Sequence, residues 1–260
     1  MSEAEPEKER IAKRMARAGV ASRRESERMI EAGRVRLNGQ KLDTPAVTVG
    51  PDDRIEVDGK PLAAPEPARL WRYHKPAGLV TSANDDQGRD TIFDRLPRRL
   101  PRVMSVGRLD INSEGLLLLT NDGGLKRTLE LPSTGWKRTY RVRAFGSVDE
   151  AALDTLRQGI TVDGENFRPM EVTVESGIGR NHLLELTLTE GRNREVRRAL
   201  DTVGLTVNRL IRVAYGPFRL GDMHRGACQE VPGYELRGAM RGTLSRHKDI
   251  PRTRDANRRR

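Results

Sequence analysis

The amino-acid sequence predicts an α+β protein built from two domains and a basic tail. A short N-terminal segment combines helical spacing of apolar residues with a hairpin signal, and a longer second segment is dominated by apolar runs of strand length. Three prolines within residues 60–69 separate the two segments. We therefore predict domains at 8–59 and 70–237, joined by a semi-rigid linker at 60–69 and followed by a disordered tail at 238–260.

Composition narrows the class of partner. The chain has 260 residues and a formal net charge of +11, which favours a polyanion such as RNA, DNA or an anionic membrane. A single cysteine excludes an intramolecular disulfide and a cysteine metal cluster. The N-terminus has no apolar leader, and no run approaches the roughly 18 apolar residues of a spanning helix. We expect a soluble cytoplasmic protein with no membrane partner and no bound metal.

The N-terminal domain is predicted to contain two helices. Ile11 and Met15 recur at helical spacing in the first. Ser22 and Glu25 form a capping box that opens the second, and Gly33 follows as its stop signal.

A hairpin follows these helices. Val35 and Leu37 alternate with arginines, and the pair at 38–39 is an Asn-Gly turn. A further strand at 54–58 is predicted to close the domain.

Positive charge is concentrated in this domain. Residues 10–36 contain nine basic and three acidic side chains. Such an excess suits backbone phosphates, although a generic solvated face is the alternative. The cations that we expect to contact RNA here are Arg10, Lys13, Arg23, Arg24, Arg34 and Arg36.

The second domain begins with a predicted strand at 70–74, near His74, for which we expect a structural or RNA-facing role. A capping box of Ser147 and Glu150 is predicted to open a helix that ends near Gly159. Further strands are predicted at 137–142, with Tyr140 on one face, at 170–175 and at 182–189, before a helix that contains Val196 and Leu200.

The central segment of this domain combines a polar loop with a buried strand. The apolar run at 116–120 is short and is closed by an Asn-Asp-Gly turn at 121–123, which favours a strand over a helix. Asp110 lies in the loop before it, on a rigid element of the kind that a nucleophile or general base needs. The alternative is an aspartate that merely caps the local turn.

Three motifs carry a resemblance to a known family. The central one runs from Gly107–Asp110 (GRLD) through the leucine run to the turn at 121–123, and it resembles the signature of the ribosomal RNA pseudouridine synthases of the RsuA/RluB type. The stretches at 75–78 and 87–93 are similar to that family's first motif. Residues 190–200 resemble its third, with Glu195 and Ala199 where the usual form has Gln and Met. The N-terminal domain looks like the RNA-binding domain first described in ribosomal protein S4.

The resemblance implies a fold and a site. It implies a mixed, largely antiparallel sheet with the active site in a basic cleft across it, and an isomerisation of uridine that needs no cofactor. Carried over, Asp110 is the nucleophile, Arg197 its ion-pair partner and Tyr140 the side chain that stacks on the uracil. Arg108 would enter the space left by the flipped base. Lys75, Arg192 and Arg194 are further expected contacts to substrate RNA.

The resemblance also implies partners, and it leaves alternatives. We expect a monomer that acts on ribosomal RNA in an assembly intermediate. The basic tail favours the large subunit, and a small-subunit target is the alternative. From other classes, a non-catalytic ribosome-assembly factor would suit the basic surface, and a glycosidase-type hydrolase could use Asp110 with Glu114.

Overall fold

The chain forms two compact units. The computed structural model describes residues 8–83 and 85–244. Of the described residues, the first unit contains residues 8–68 together with Asn121–Gly123, and the second contains those of 69–120 and 124–244. In these described ranges no helix combines the length and the apolar character needed to cross a membrane.

The first unit contains two helices packed on short strands. Ile11 and Met15 face the unit's core from the first helix, as predicted. The second helix begins where the capping box predicts, because the Ser22 hydroxyl accepts a hydrogen bond from the Glu25 amide at 3.1 Å. The elements are α1 (Ile11–Arg17), α2 (Arg23–Glu31), β1 (Glu9–Arg10), β2 (Val35–Leu37), β3 (Gln40–Lys41), β4 (Thr48–Val49), β5 (Ile55–Val57) and β6 (Lys60–Pro61).

The hairpin of this unit extends into the predicted linker. The strands pair in the order β3-β2-β5-β6, and β1 pairs with β4. The Leu62 amide also bonds to the Ile55 carbonyl at 2.8 Å. A linker beginning at residue 60 is therefore wrong: Pro61 lies in an edge strand, where a proline is tolerated because one side of the strand needs no amide donor.

The second unit is built on one large sheet. Its helices are α3 (Gly123–Glu130), α4 (Glu150–Gln158), α5 (Glu195–Thr202) and α6 (Gly233–Leu244). Short 3₁₀ turns cover Phe93–Arg95 and Pro132–Thr134. The strands are β7 (Leu70–Lys75), β8 (Met104–Val106), β9 (Ser113–Thr120), β10 (Arg138–Phe145), β11 (Ile160–Val162), β12 (Glu165–Phe167), β13 (Glu171–Ile178), β14 (Asn181–Leu188), β15 (Thr206–Tyr215), β16 (Phe218–Arg219) and β17 (Cys228–Glu230).

The sheet is mixed and largely antiparallel, as predicted. Its order is β13-β14-β10-β15-β9-β7-β17, with β16 added to β15 and β8 added to β9. Of these pairings β9 with β15 is parallel, and the others are antiparallel.

The buried strand of the central segment is β9. It lies between β15 and β7, and all eight of its residues are buried, which explains the continuous apolar run. It begins at Ser113, earlier than the leucines indicate, because Ser113–Gly115 pairs with Leu210–Arg212. Gly115 has φ +105°, and a Cβ there would lie 2.3 Å from the Arg212 carbonyl oxygen, so only glycine fits this close approach.

Two helix signals differ from the prediction. Helix α4 is capped by Asp149, whose carboxylate accepts from the Ala151 amide at 3.0 Å, so the capping box of Ser147 and Glu150 is wrong although the end at Gly159 is right. The prediction did not include helix α3, which begins at Gly123, the last residue of the Asn-Asp-Gly turn that closes the buried strand.

The predicted disordered tail is wrong over its first residues. Helix α6 continues to Leu244, so residues 238–244 are helical. The rest of that prediction, residues 245–260, lies outside the described residues.

Candidate active site

A cleft of about 460 Å³ opens over the sheet of the second unit. Four parts of the unit form it: the loop before β9 with the start of that strand, the end of α3, the strands β10, β14 and β15, and the turn that leads into α5 with its first residues. The residues that line it are Gly107, Arg108, Leu109, Asp110, Ser113, Glu130, Arg138, Tyr140, Leu188, Gly191, Arg192, Asn193, Arg194, Glu195, Val196, Leu210, Arg212 and Tyr215.

Backbone contacts fix the loop that presents Asp110. The Asp110 carbonyl accepts from the Ser113 amide at 3.0 Å, which closes a tight turn into β9. The neighbouring Leu109 is buried, and its carbonyl accepts from the Thr81 hydroxyl at 2.7 Å. The carboxylate therefore projects from a loop that is tied both to its own strand and to the segment after β7.

The Lys75 side chain binds the backbone carbonyls of this loop. It is fully buried, and Nζ lies within 2.9–3.3 Å of the carbonyl oxygens of Pro76, Asp110, Ile111 and Ser113. Burial lowers the pKa of Lys75 to about 8, against the opposing effect of the Asp110 and Glu114 charges. The prediction that Lys75 contacts RNA is wrong, because a buried ammonium committed to four carbonyls cannot reach a phosphate.

Tyr140 lies on the floor of the cleft. It sits in the middle of β10, paired with Leu186 of β14 on one side and Arg212 of β15 on the other. The residue is 8% exposed, and that exposed part lines the cleft together with Asp110. Strand alternation predicts that Tyr140 lies on one face of the strand, and in the structure that face and Asp110 border the same cleft.

Arg197 approaches Asp110 differently from the prediction. Its guanidinium donates to the carbonyls of Val207 at 3.0 Å and Asn112 at 3.2 Å, and it forms no salt bridge with Asp110. Burial and the neighbouring Arg194 charge lower the pKa of Arg197, whereas the Asp110 carboxylate acts to raise it. Its charge thus reaches Asp110 through space, and its hydrogen bond holds the backbone two residues after Asp110.

Three further arginines line the cleft from its rim. Arg108, Arg192 and Arg194 are all exposed, so their side chains are accessible to an RNA backbone. Arg192 is the one whose charge is partly matched, since its Nε lies 3.3 Å from Glu190.

The turn into α5 also buries a carboxyl group. Glu195 is 3% exposed, and its Oε2 accepts from the Arg192 amide at 2.8 Å. The pKa of Glu195 is raised to about 7, mainly by burial and also by the charge of Glu190 and a side-chain hydrogen bond with it, whereas the hydrogen bond from the Arg192 amide acts to lower it. Sequence reasoning noted Glu195 only as a departure from the family pattern and did not place it in the site.

Sequence reasoning missed other side chains of the cleft altogether. Arg138 donates to the Tyr215 hydroxyl at 3.1 Å, and Arg212 donates from Nε to the Leu116 carbonyl at 2.8 Å. The alternation of β15 was the available signal, but it does not say which face of the strand carries the site.

The glycosidase alternative finds no support at Glu114. This side chain does not line the cleft, and both of its oxygens accept from Arg209, at 2.7 and 3.0 Å. The Arg209 hydrogen bonds lower the pKa of Glu114 against the effect of burial. A general acid needs a raised pKa, so the assignment of Glu114 as the second carboxylate of a glycosidase mechanism is wrong.

The cations of the first unit divide into two groups. Lys13 lies 3.2 Å from Glu9, and Arg34 forms a two-bond pair with Asp58, so acidic neighbours partly neutralise both. The other four predicted contacts are exposed arginines without a salt bridge to a described residue: Arg10, Arg23, Arg24 and Arg36.

Comparison with known families identifies the class of protein. Residues 69–202 match the RNA pseudouridylate synthase family, and residues 9–55 match the S4 domain. The first match covers the β9 strand, Tyr140 and the turn into α5, so the cleft lies largely within the matched region. The class is therefore that of RNA-modifying isomerases.

Individual relatives agree with this class. The chain is 43% identical over 223 residues to an RNA pseudouridine synthase of Rickettsia felis, covering 86% of this chain and 96% of that protein. It is 46% identical over 231 residues to the ribosomal large subunit pseudouridine synthase B of Salmonella typhimurium, covering 86% of this chain and 79% of that protein. A crystal structure of a pseudouridylate synthase superposes with a TM-score of 0.64 at 26% identity, covering 88% of this chain and 99% of the other. The chain belongs to the RNA pseudouridine synthase family.

Proposed function

We propose that this protein isomerises one uridine of large-subunit ribosomal RNA to pseudouridine, with Asp110 as the nucleophile and no cofactor. The observation that carries the proposal is that Asp110 and Tyr140 line one cleft whose rim bears Arg108, Arg192 and Arg194. The site therefore offers a carboxylate, a ring for the base and cations for the flanking phosphates. The family match supports the reaction, and the Salmonella relative's name supports the target.

Each of these residues has its own proposed role in the isomerisation. The bond from C1′ to N1 breaks, the freed base turns, C5 bonds to C1′, and the proton lost from C5 is balanced by one gained at N1. Asp110 acts at the sugar or the base as the activated carboxylate. Arg197 places a positive charge beside the Asp110 loop, and Tyr140 supports the extruded ring. Arg108 is placed on the rim, where it would occupy the gap left in the RNA stack.

We propose that the Tyr140 ring stacks on the uracil and that its hydroxyl moves a proton, and replacing Tyr140 by phenylalanine separates these two roles. Tyr140→Phe keeps the ring that stacks on uracil and removes the hydroxyl that is proposed to move a proton. We expect turnover to fall by about 10²-fold or more while the Kd for substrate RNA changes little, as for a general acid–base group. Single-turnover rates and filter binding on the same RNA measure the two effects. Full activity of the Phe variant would restrict the role of Tyr140 to stacking.

The first unit is proposed to supply affinity by binding phosphates. Replacing the four arginines without acidic partners, Arg10, Arg23, Arg24 and Arg36, by glutamine should weaken RNA binding and make the plot of log K against log salt shallower. Counterion release predicts a change in slope of about 0.7–0.9 for each phosphate that the variant no longer neutralises. The measurement is RNA affinity over a series of salt concentrations.

Lys13→Gln with Arg34→Gln is the matched control for this experiment. Glu9 and Asp58 already partly neutralise these two cations, so their removal should change the slope less for each residue. An unchanged slope in the four-arginine variant would show that this surface does not contact phosphate.

Mapping the pseudouridines of ribosomal RNA tests the proposed large-subunit target. Cells that lack this protein should lose one pseudouridine from large-subunit ribosomal RNA, and chemical probing of both ribosomal RNAs measures it. Restoring the gene should return the modification, and a gene carrying Asp110→Asn should not. Loss of a small-subunit site with the large-subunit sites intact would establish the alternative target.

The proposal includes a monomer that acts in the cytoplasm on an assembly intermediate. One chain supplies every residue named for the cleft, so the chemistry requires no second copy. We retain the predicted division into an RNA-binding domain and a catalytic domain, with the linker shortened at its start as described above.

A further inference from the structure

Two buried polar atoms in the cleft lack partners. Glu195 is 3% exposed and Arg212 is 2% exposed, and both residues line the cleft. Among the described residues, neither Glu195 Oε1 nor Arg212 Nη2 has a hydrogen-bond partner that meets geometric criteria, although the Glu195 carboxyl also interacts with the neighbouring Glu190 carboxyl. An unsatisfied buried polar atom destabilises a fold, so each such atom in a native structure calls for an explanation.

The rest of each side chain is held in place. The second oxygen of Glu195 accepts from the Arg192 amide at 2.8 Å. Arg212 donates from Nε to the Leu116 carbonyl at 2.8 Å, and its guanidinium lies 5.1 Å from the centre of the Tyr215 ring. These interactions fix the two orphaned atoms in position, as a preorganised binding site requires.

Both side chains flank the proposed stacking surface. Arg212 is the cross-strand partner of Tyr140, so the two share a face of the sheet with Cβ atoms roughly 5 Å apart. Glu195 is the first residue of α5 and precedes Val196, which also lines the cleft. A base stacked on Tyr140 would therefore share the cleft with both side chains.

We propose that Glu195 Oε1 and Arg212 Nη2 bind the Watson–Crick edge of the target uracil, the carboxylate accepting from N3–H and the guanidinium donating to an adjacent carbonyl oxygen. This inference rests on the proposed function and adds the residues that recognise the base. The Watson–Crick edge of uracil presents the N3–H donor between two carbonyl acceptors. A carboxylate acceptor beside a guanidinium donor matches this pattern. Cytosine presents an acceptor at N3 and an amino donor at C4, so N3 would face the carboxylate.

The geometry of the reaction favours the same two hydrogen bonds. Turning the base so that C5 takes the place of N1 is a rotation about the line through N3 and C6. N3–H stays on this line, and the carbonyls at C2 and C4 exchange places. A carboxylate on N3–H and a guanidinium on one flanking carbonyl can therefore hold the base both before and after it turns. Neither group transfers a proton or forms a bond in this role.

The charge states are compatible with these hydrogen bonds. Burial raises the pKa of Glu195 to about 7, so an ionised fraction that can accept from N3–H exists at neutral pH. Arginine remains a donor throughout that range.

The test compares substrates that differ at single atoms of the base. RNA fragments with the mapped target uridine are prepared with uridine, 4-thiouridine, 2-thiouridine, N3-methyluridine or cytidine at that position. With the wild-type protein we expect N3-methylation and one of the two thio substitutions to reduce the single-turnover rate by about 10-fold or more. Cytidine should weaken binding by about 10–100-fold, the range for a mismatched polar contact.

Two variants then assign each hydrogen bond. In Arg212→Lys, the single-turnover rate with uridine RNA should fall by about 10–100-fold. The further reduction in rate caused by thio substitution of the base should disappear, because the Nη2 donor is gone. In Glu195→Gln, the amide oxygen can take over the bond from Arg192 and the amino group replaces the acceptor, so discrimination between uridine and cytidine RNA should fall to about threefold. Glu165→Gln and Arg219→Lys, at exposed positions outside the cleft, should keep the wild-type pattern.

Distinct outcomes separate the two proposals. If wild-type protein forms no pseudouridine in any ribosomal RNA, the proposed function fails. If it does, but N3-methyluridine reacts as fast as uridine, or both folded variants keep wild-type discrimination, the base-recognition proposal is overturned. The wild-type measurements with altered bases decide the question even where a variant does not fold, which thermal melting checks.

Discussion

An Asp110→Asn variant is expected to lose at least about 10⁴-fold in pseudouridine formation while its free energy of unfolding and its RNA affinity stay close to wild type. The substitution keeps the size and shape of the side chain and removes the carboxylate that is proposed to attack, and loss of a nucleophile has effects of this order. The loop should persist, because the Ser113 amide and Lys75 bind the backbone carbonyl of Asp110 and not its side chain.

Single-turnover pseudouridine formation on the target RNA measures this effect. Asp154→Asn is the matched control, since Asp154 is an exposed residue of α4 whose carboxylate pairs with Arg157. The control should turn over like wild type. If Asp110→Asn keeps a rate within about tenfold of wild type, Asp110 is not the nucleophile.

A Lys75→Met variant is expected to lose both stability and activity. Methionine fills a similar volume, but it leaves the four carbonyls around Nζ without their shared donor. An unsatisfied buried acceptor destabilises a protein by about 1–3 kcal/mol, so we expect the free energy of unfolding to fall by about 3 kcal/mol or more. Displacement of the loop should reduce turnover by about 10²-fold.

Denaturant unfolding and single-turnover rates together measure the Lys75 effect. Lys137→Met applies the same substitution to an exposed lysine that pairs with Glu171 and should alter neither quantity appreciably. Full stability and activity in Lys75→Met would show that the carbonyls find other donors. Weakened RNA binding by a fully stable, correctly folded variant would instead restore the phosphate-binding role.

The sequence by itself determined the elements that depend on local chemistry. The capping box at Ser22 and the stop at Gly33 set the bounds of α2, because these signals act within a few residues of each other. The run of leucines indicated a strand buried on both faces, and alternation placed Tyr140 on one face of β10. Three motifs in order indicated the family, which the comparisons confirm.

Local signals were insufficient where two of them compete. Asp149 caps α4 in preference to Ser147, although both are good capping residues, and a turn at 121–123 can lead into a helix as readily as into a strand. The bounds of the linker and the start of the tail failed for the same reason: pairing of β6 with β5 and the helix α6 outweigh composition.

The tertiary structure decided which charged residues belong to the site. Lys75 looked like an RNA contact because lysines are usually exposed, but the carbonyls that bind it converge only when the loop before β9 closes over β7. Arg212 and Glu195 are 17 residues apart and each is more than 80 residues from Asp110, yet all three line one cleft. Parallel pairing of β9 with β15, strands distant in sequence, brings Arg212 to the Asp110 loop. Hydrophobic spacing predicts which face of an element is buried, whereas the partner of that face depends on long-range pairing, which leaves no local signal in the sequence.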